Sequence, residues 1–252
     1  MIVGVAVGLS AGYLGSIMVL EKMALVGDAL SHVALPGLAL GILYNFNPFF
    51  GAFAFLFASA VAIWELRRIT KLSFETLVGA VFTLSLAIGI LLVPEPDLLE
   101  ALFGDITKVG LIDAIIAVVV SIIVVALAQA IFKQIILGLI SEELAASTGI
   151  NVARTNLLYL LLVSLTVAIG IRITGTLLVG FLVVTPAAAA RTISPNLARY
   201  SVLSAIFGAA CSVSGILLST YFNVPPGPLV VFAGVAIFGA AVVVRWFTKF
   251  QG

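Results

Sequence analysis

Residues 111–131 read LIDAIIAVVVSIIVVALAQAI, a run whose only charge, Asp113, stands near its start. Wound as an α-helix, such a run rises about 30 Å, the depth of a bilayer's hydrocarbon layer. The rest of the chain has the same character: of 252 residues, 63% are hydrophobic and 9% charged. A water-soluble domain carries about 25% charge. The polar residues are too few to cover a globule of this size in water, and disorder needs the opposite composition, so the chain reads as a membrane protein.

Charges and Pro/Gly punctuation divide it into nine apolar segments: residues 1–20, 24–43, 48–64, 74–93, 111–131, 153–171, 176–190, 200–221 and 228–246. Segment 24–43 contains Gly27, Asp28, Ser31, His32, Pro36 and Gly37, and segment 176–190 is short and contains Pro186. Both read as broken, with the breaks at the prolines, so eight full spans plus a broken piece fits as well as nine. The expected fold is an all-α polytopic membrane protein of eight to nine transmembrane helices, one or two of them broken, forming a single domain over residues 1–252. The opening MIVGVAVGLSAGYLGSIMVL has no basic lead and reads as a first span, not a cleaved signal.

Orientation follows from Lys and Arg. With nine crossings, one side receives Lys22, Arg67, Arg68, Lys71, Lys133, Arg154, Arg191, Arg199, Arg245 and Lys249, ten in all; the other receives Lys108 and Arg172, two. That bias places the carboxyl terminus and the 132–152 connection in the cytoplasm and the amino terminus outside, in a multi-pass protein of the cell membrane. Trp64 and Trp246 beside basic residues fit an aromatic belt on the cytoplasmic side, and Arg172 and Arg191 read as snorkelling anchors. Two connections stand out. PEPDLLEALFGDITKVG, 94–110, suggests a short helix at the outer surface. KQIILGLISEELAASTGINVARTN, 133–156, holds a helical patch around residues 142–148 closed by Gly149 as a C-cap. Glu142 and Glu143 suit the start of that helix, and Leu144, Ala145 and Ala146 offer a small apolar surface.

The charges that bear on function are those inside spans, where an ionisable group costs several kcal/mol and persists mostly beside a cavity or partner. Asp28 and His32, the only histidine, stand four apart and so share one helical face. Carboxylate oxygen with imidazole nitrogen suits first-row divalent cations such as Zn²⁺, Mn²⁺ or Fe²⁺. A pair of polar residues packed against neighbouring helices would give the same spacing. The surrounding GDALSHVALPG, with its small residues and breakers, matches the broken helices that form midplane sites in transporters. Two donors are half a site, since such ions take four to six ligands.

Other features point to packing. Gly8, Gly12, Gly15, Gly37, Gly41, Gly208 and Gly215 lie at spacings that allow close helix contact. Asp113 and Glu65 read as interfacial charges. Cys211 is the lone cysteine, so neither an internal disulfide nor a thiolate metal site is available. The net charge of +1 gives no basis for nucleic acid as a partner. Walker, HExxH, GxSxG and GxGxxG motifs are absent. An ion-coupled secondary transporter is the alternative, but it should show matched inverted halves, which the two halves here do not; an intramembrane metalloprotease would need more histidines and a base glutamate.

Three blocks carry a family resemblance: EKMALVGDALSHVALPGLALG at 21–41, ELAASTGI at 143–150, and TGTLLVGFLVVTPAAAARTIS at 174–194 followed by GILLSTYFNVPPGP at 215–228. In their order and separation they resemble the membrane permease subunit of ATP-binding-cassette importers of zinc, manganese or iron. The resemblance implies a homodimer in the membrane, two cytoplasmic ATPase subunits beneath it and an extracytoplasmic metal-binding protein above. It implies that Asp28 and His32 contact the metal, and that Glu142, Glu143, Leu144, Ala145 and Gly149 belong to a cytoplasmic coupling helix. The permease itself would be no enzyme and hold no tightly bound cofactor, only the transported ion. Members of that family generally have a short polar lead before the first span, which is missing here.

Overall fold

The computed structural model describes residues 1–92 and 110–250. They form eleven helices: α1 (Ile2–Leu20), α2 (Ala24–Val33), α3 (Leu35–Leu43), α4 (Pro48–Thr70), α5 (Phe74–Leu92), α6 (Leu111–Ile140), α7 (Glu142–Ser147), α8 (Val152–Thr174), α9 (Thr176–Ile193), α10 (Leu197–Phe222) and α11 (Pro226–Phe250). Eight stretches among the described residues have the length and apolarity to cross a membrane, counting Val26–Leu43 as one, and Val179–Ile193 is a shorter apolar helix. The all-α polytopic expectation holds. The surface helix expected within 94–110 lies outside the described residues.

Local chemistry starts and stops these helices. Asn47, Asn151 and Asn196 cap α4, α8 and α10, each side-chain oxygen accepting a first-turn N–H at 2.9–3.0 Å. α2 and α3 meet at Ala34. Pro36 cannot donate to the carbonyl of His32, four residues back, and the helix is interrupted there as expected. Pro186 behaves differently: α9 runs through it from Thr176 to Ile193. The break in this region falls at Gly175, whose φ of 76° and ψ of 171° separate α8 from α9. A glycine meets that positive φ without the clash a Cβ would bring.

The core is organised around α1. Buried shares of 67% for α1, 61% for Val26–Leu43 and 56% for α8, against 22% for α5, α6 and α11, put the first three at the centre and the others on the rim. Helices in lipid gain little from apolar burial against one another, so close backbone approach and hydrogen bonds hold them. Along α1 and α10, Gly8 lies against Gly208, and Gly12 against Ser204, so closely that a Cβ at either α1 glycine would collide with backbone. The Ser204 hydroxyl donates to the Gly12 carbonyl, and Tyr159 Oη donates to the Leu14 carbonyl at 3.0 Å. Such bonds contribute about 0.6 kcal/mol on average and at most about 1.7 kcal/mol. Gly37 packs on the backbone of Gly51 and Gly215 on that of Val230.

Candidate metal site

α2 turns Val26, Leu30, Ser31 and Val33 into the core, each 1% exposed or less. Residues 28 and 32 therefore fall on its other side, where Asp28 is exposed and His32 half-buried. The hydroxyl of Ser31 donates to the Asp28 carbonyl at 2.6 Å, tying down the turn between the two. The His32 ring lies 5.6 Å from that of Phe82 on α5, inclined by 59°. Its Nδ1 is buried and has no hydrogen-bond partner among the described residues. A buried polar atom left in that condition forfeits about 1 to 3 kcal/mol, a cost that a ligand can recover. No group of three or more His, Cys, Asp or Glu that could hold a metal occurs among the described residues.

The third wall comes from α9. A Cβ built on Gly180 would stand 2.7 Å from Asp28 Oδ1 and 2.8 Å from its Cβ, so the absent side chain lets α9 close on the site. Gly27 next door meets Val183 Cγ1 at 3.3 Å on its own Cβ direction. Gly180 was not among the glycines singled out by spacing, because no other glycine stands three, four or seven residues from it. A lone glycine in an apolar run signals a close approach without naming what approaches.

At the Lys/Arg-rich end, α7 hangs from α6 by the single residue Ser141. Its hydroxyl accepts the Leu144 N–H at 3.2 Å as the N-cap, and Glu142 and Glu143 occupy the first turn, where the helix dipole favours them. The helix closes as a Schellman turn: Ile150 N–H donates to the Ala145 carbonyl and Gly149 N–H to that of Ala146, both at 3.0 Å, with Gly149 at φ 80°. Glu142, Glu143 and Leu144 face outward, whereas Ala145 is fully buried against its own chain. Leu144 and Ala145 thus do not share one outward surface.

Behind α7 lies a cavity of about 470 Å³ whose lining includes Glu21, Arg67, Glu75, Glu142 and Asn156. Glu21, just past α1, is pushed up to about 7 by burial, with Arg67 pulling the other way. Glu65 pairs with Arg68 at 2.7 Å, and Asp113 accepts the Gly110 N–H at 3.1 Å.

Known proteins resemble this chain over nearly its full length. The manganese transport system membrane protein MntC of Listeria monocytogenes is 31% identical over 242 residues, covering 94% of this chain and 86% of its own. The high-affinity zinc uptake system membrane protein ZnuB of Haemophilus influenzae is 30% identical over 243 residues, covering 94% and 93%. Among solved structures, PsaBC from Streptococcus pneumoniae in complex with Fab superposes with a TM-score of 0.85 at 30% identity, over 100% of this chain and 93% of that one. The model of the ABC 3 transport family matches residues 1–245, and the chain belongs to that family.

Proposed function

We propose that the chain is the membrane permease of an ATP-driven importer of zinc, manganese or iron, and that Asp28 and His32 hold the ion as it crosses. The observation that carries this reading is an accessible carboxylate paired, on one face of a broken span, with a buried imidazole nitrogen that lacks a partner among the described residues. Relatives named for manganese and zinc transport support the choice of cargo.

Carboxylate oxygen and neutral imidazole nitrogen suit borderline divalent cations, and Asp28 supplies the negative charge that offsets lost hydration. Four to six ligands are needed, and a second copy across a two-fold axis doubles the protein donors to two Asp28 and two His32, with water or backbone oxygen completing the set. An extracytoplasmic metal-binding protein delivers the ion, and two ATP-binding-cassette ATPases drive the cycle from the cytoplasm, where the Lys/Arg-rich end and the carboxyl terminus lie. α7 is the coupling element: Glu142, Glu143 and Leu144 meet the ATPase, Ala145 seats the helix on its own chain, and Gly149 makes the return turn. ATP hydrolysis belongs to the partner. The metal is cargo, no tightly bound cofactor is involved, and nucleic acid is no partner.

Asp28→Asn and His32→Ala should each lower radiometal uptake by the reconstituted transporter at least tenfold at unchanged membrane abundance. Tenfold corresponds to about 1.4 kcal/mol on the limiting step. Normal uptake in both variants would rule out this pair as the metal site.

A further inference from the structure

Where α4 ends, a second cavity of about 500 Å³ is lined by Trp64, Arg67, Arg68 and Lys71, with Asn156 of α8 and Glu142 of α7. Three cations thus line it against one carboxylate; Arg67, Glu142 and Asn156 also line the adjoining cavity behind α7, where Glu21 and Glu75 stand, so Arg68 and Lys71 are the cations that face this cavity alone. The cavity is held in shape. Trp64 Nε1 donates to the Ala153 carbonyl at 2.8 Å, which fastens the last turns of α4 to the first turn of α8. The Arg67 guanidinium lies 3.8 Å over the Phe74 ring and that of Arg68 5.6 Å over Trp64. Lys71 ends the helix in the left-handed region at φ 57°, its N–H bonded to the Arg67 carbonyl at 2.9 Å. The one ion pair among these groups, Arg68 with Glu65, is exposed to solvent and therefore weak. Neither Arg67 nor Lys71 has a salt-bridge partner among the described residues.

The face of α4 leading to the cavity is apolar and uncovered. Phe50, Phe57, Val61, Trp64 and Arg68 follow one another at steps of seven, four, three and four residues, which keeps them on one side of a helix. Phe50, Phe57 and Val61 are 63%, 37% and 41% exposed. A soluble anion would use the cations and leave this stripe idle. A molecule with a phosphate at one end and hydrocarbon at the other uses both, and basic pockets between membrane helices are known to hold anionic headgroups.

We propose that this cavity binds the headgroup of an anionic phospholipid, with Arg67, Arg68 and Lys71 on the phosphate and an acyl chain along Val61 and Phe57, which lie within one leaflet's depth of Arg68. The site is distinct from Asp28 and His32 and needs no metal to fill.

The test uses the permease–ATPase complex in nanodiscs of phosphatidylcholine with one quarter phosphatidylglycerol, extracted gently and weighed by native mass spectrometry. The ratio of phosphatidylglycerol to phosphatidylcholine among the retained lipids should be at least fivefold that of the bilayer. Arg67→Gln/Arg68→Gln/Lys71→Gln should abolish the enrichment while ATPase co-purification is kept. The charge-preserving Arg67→Lys/Arg68→Lys pair should retain at least half of it and controls for folding. Wild-type retention in proportion to the bilayer would overturn the proposal, as would unchanged enrichment in the triple variant. Displacement of the bound lipid by millimolar inorganic phosphate would mark a soluble-anion site and overturn the lipid assignment. Loss of ATPase binding with lipid retention intact would mark a protein-docking surface and overturn it equally.

Discussion

Gly180 controls how closely α9 can approach the proposed metal face, and its effect can be separated from ordinary helix energetics. Replacing glycine by alanine inside a helix ordinarily favours the helix by about 1 kcal/mol. At position 180 the new methyl would press on the Asp28 backbone at Cα and on its side chain, forcing α2 and α9 apart at the site, whereas at Gly79 it would meet nothing within 4 Å. Gly180→Ala should therefore reduce metal uptake per permease by about fivefold or more, and Gly79→Ala should leave it unchanged; equal uptake in the two would show that α9 does not shape the site. Asp28 and His32 were legible in the sequence because a four-residue spacing fixes a shared face whatever the tertiary fold. The wall opposite them was not, since the contact between 28 and 180 depends on how α2 and α9 pack. The buried condition of His32 Nδ1 was equally hidden: spacing orients a side chain but does not say what covers it.

Among the elements, α7 separates two effects that sequence alone merges. ELAAST offers a run of small apolar residues, and only the winding of the helix against its own chain decides which point outward. Leu144 is 48% exposed and Ala145 fully buried. Leu144→Asp should leave the permease abundant in the membrane and abolish its stimulation of the ATPase. Ala145→Arg should lower abundance first, because a buried unpaired charge costs several kcal/mol. Measuring membrane abundance beside metal-dependent ATP hydrolysis tests both; full stimulation with Leu144→Asp would remove α7 from the coupling path. Element ends were read less well than element existence. Segment 111–131 continues as helix to Ile140, past Lys133, because a lysine at the membrane edge ends a hydrophobic run without ending a helix. The inverse happened in α9, where Pro186 stays within the helix and the break moves to Gly175, a position with a positive φ that a sequence pattern does not display.

At the scale of the whole molecule, α1 is locked by glycine contacts and hydrogen bonds to α10 and α8, so these helices should move as a body. One chain carries one Asp28, one His32 and one α7, whereas a paired ATPase engine needs two docking surfaces related by symmetry. Native mass spectrometry of the detergent-extracted complex should find two permeases with two ATPases; one permease with two ATPases would contradict the symmetric site. α6 gives such a machine a connecting rod. It runs 30 residues without a proline, about 45 Å, and Gly138, its one glycine, is braced by Val152. Ser141 alone joins its end to α7. A tilt of about 10° around its middle would carry each end about 4 Å in opposite directions. A push on α7 would then reach the far face of the membrane as a simultaneous counter-swing, without relay through any loop, and the outer and inner openings would be timed by leverage.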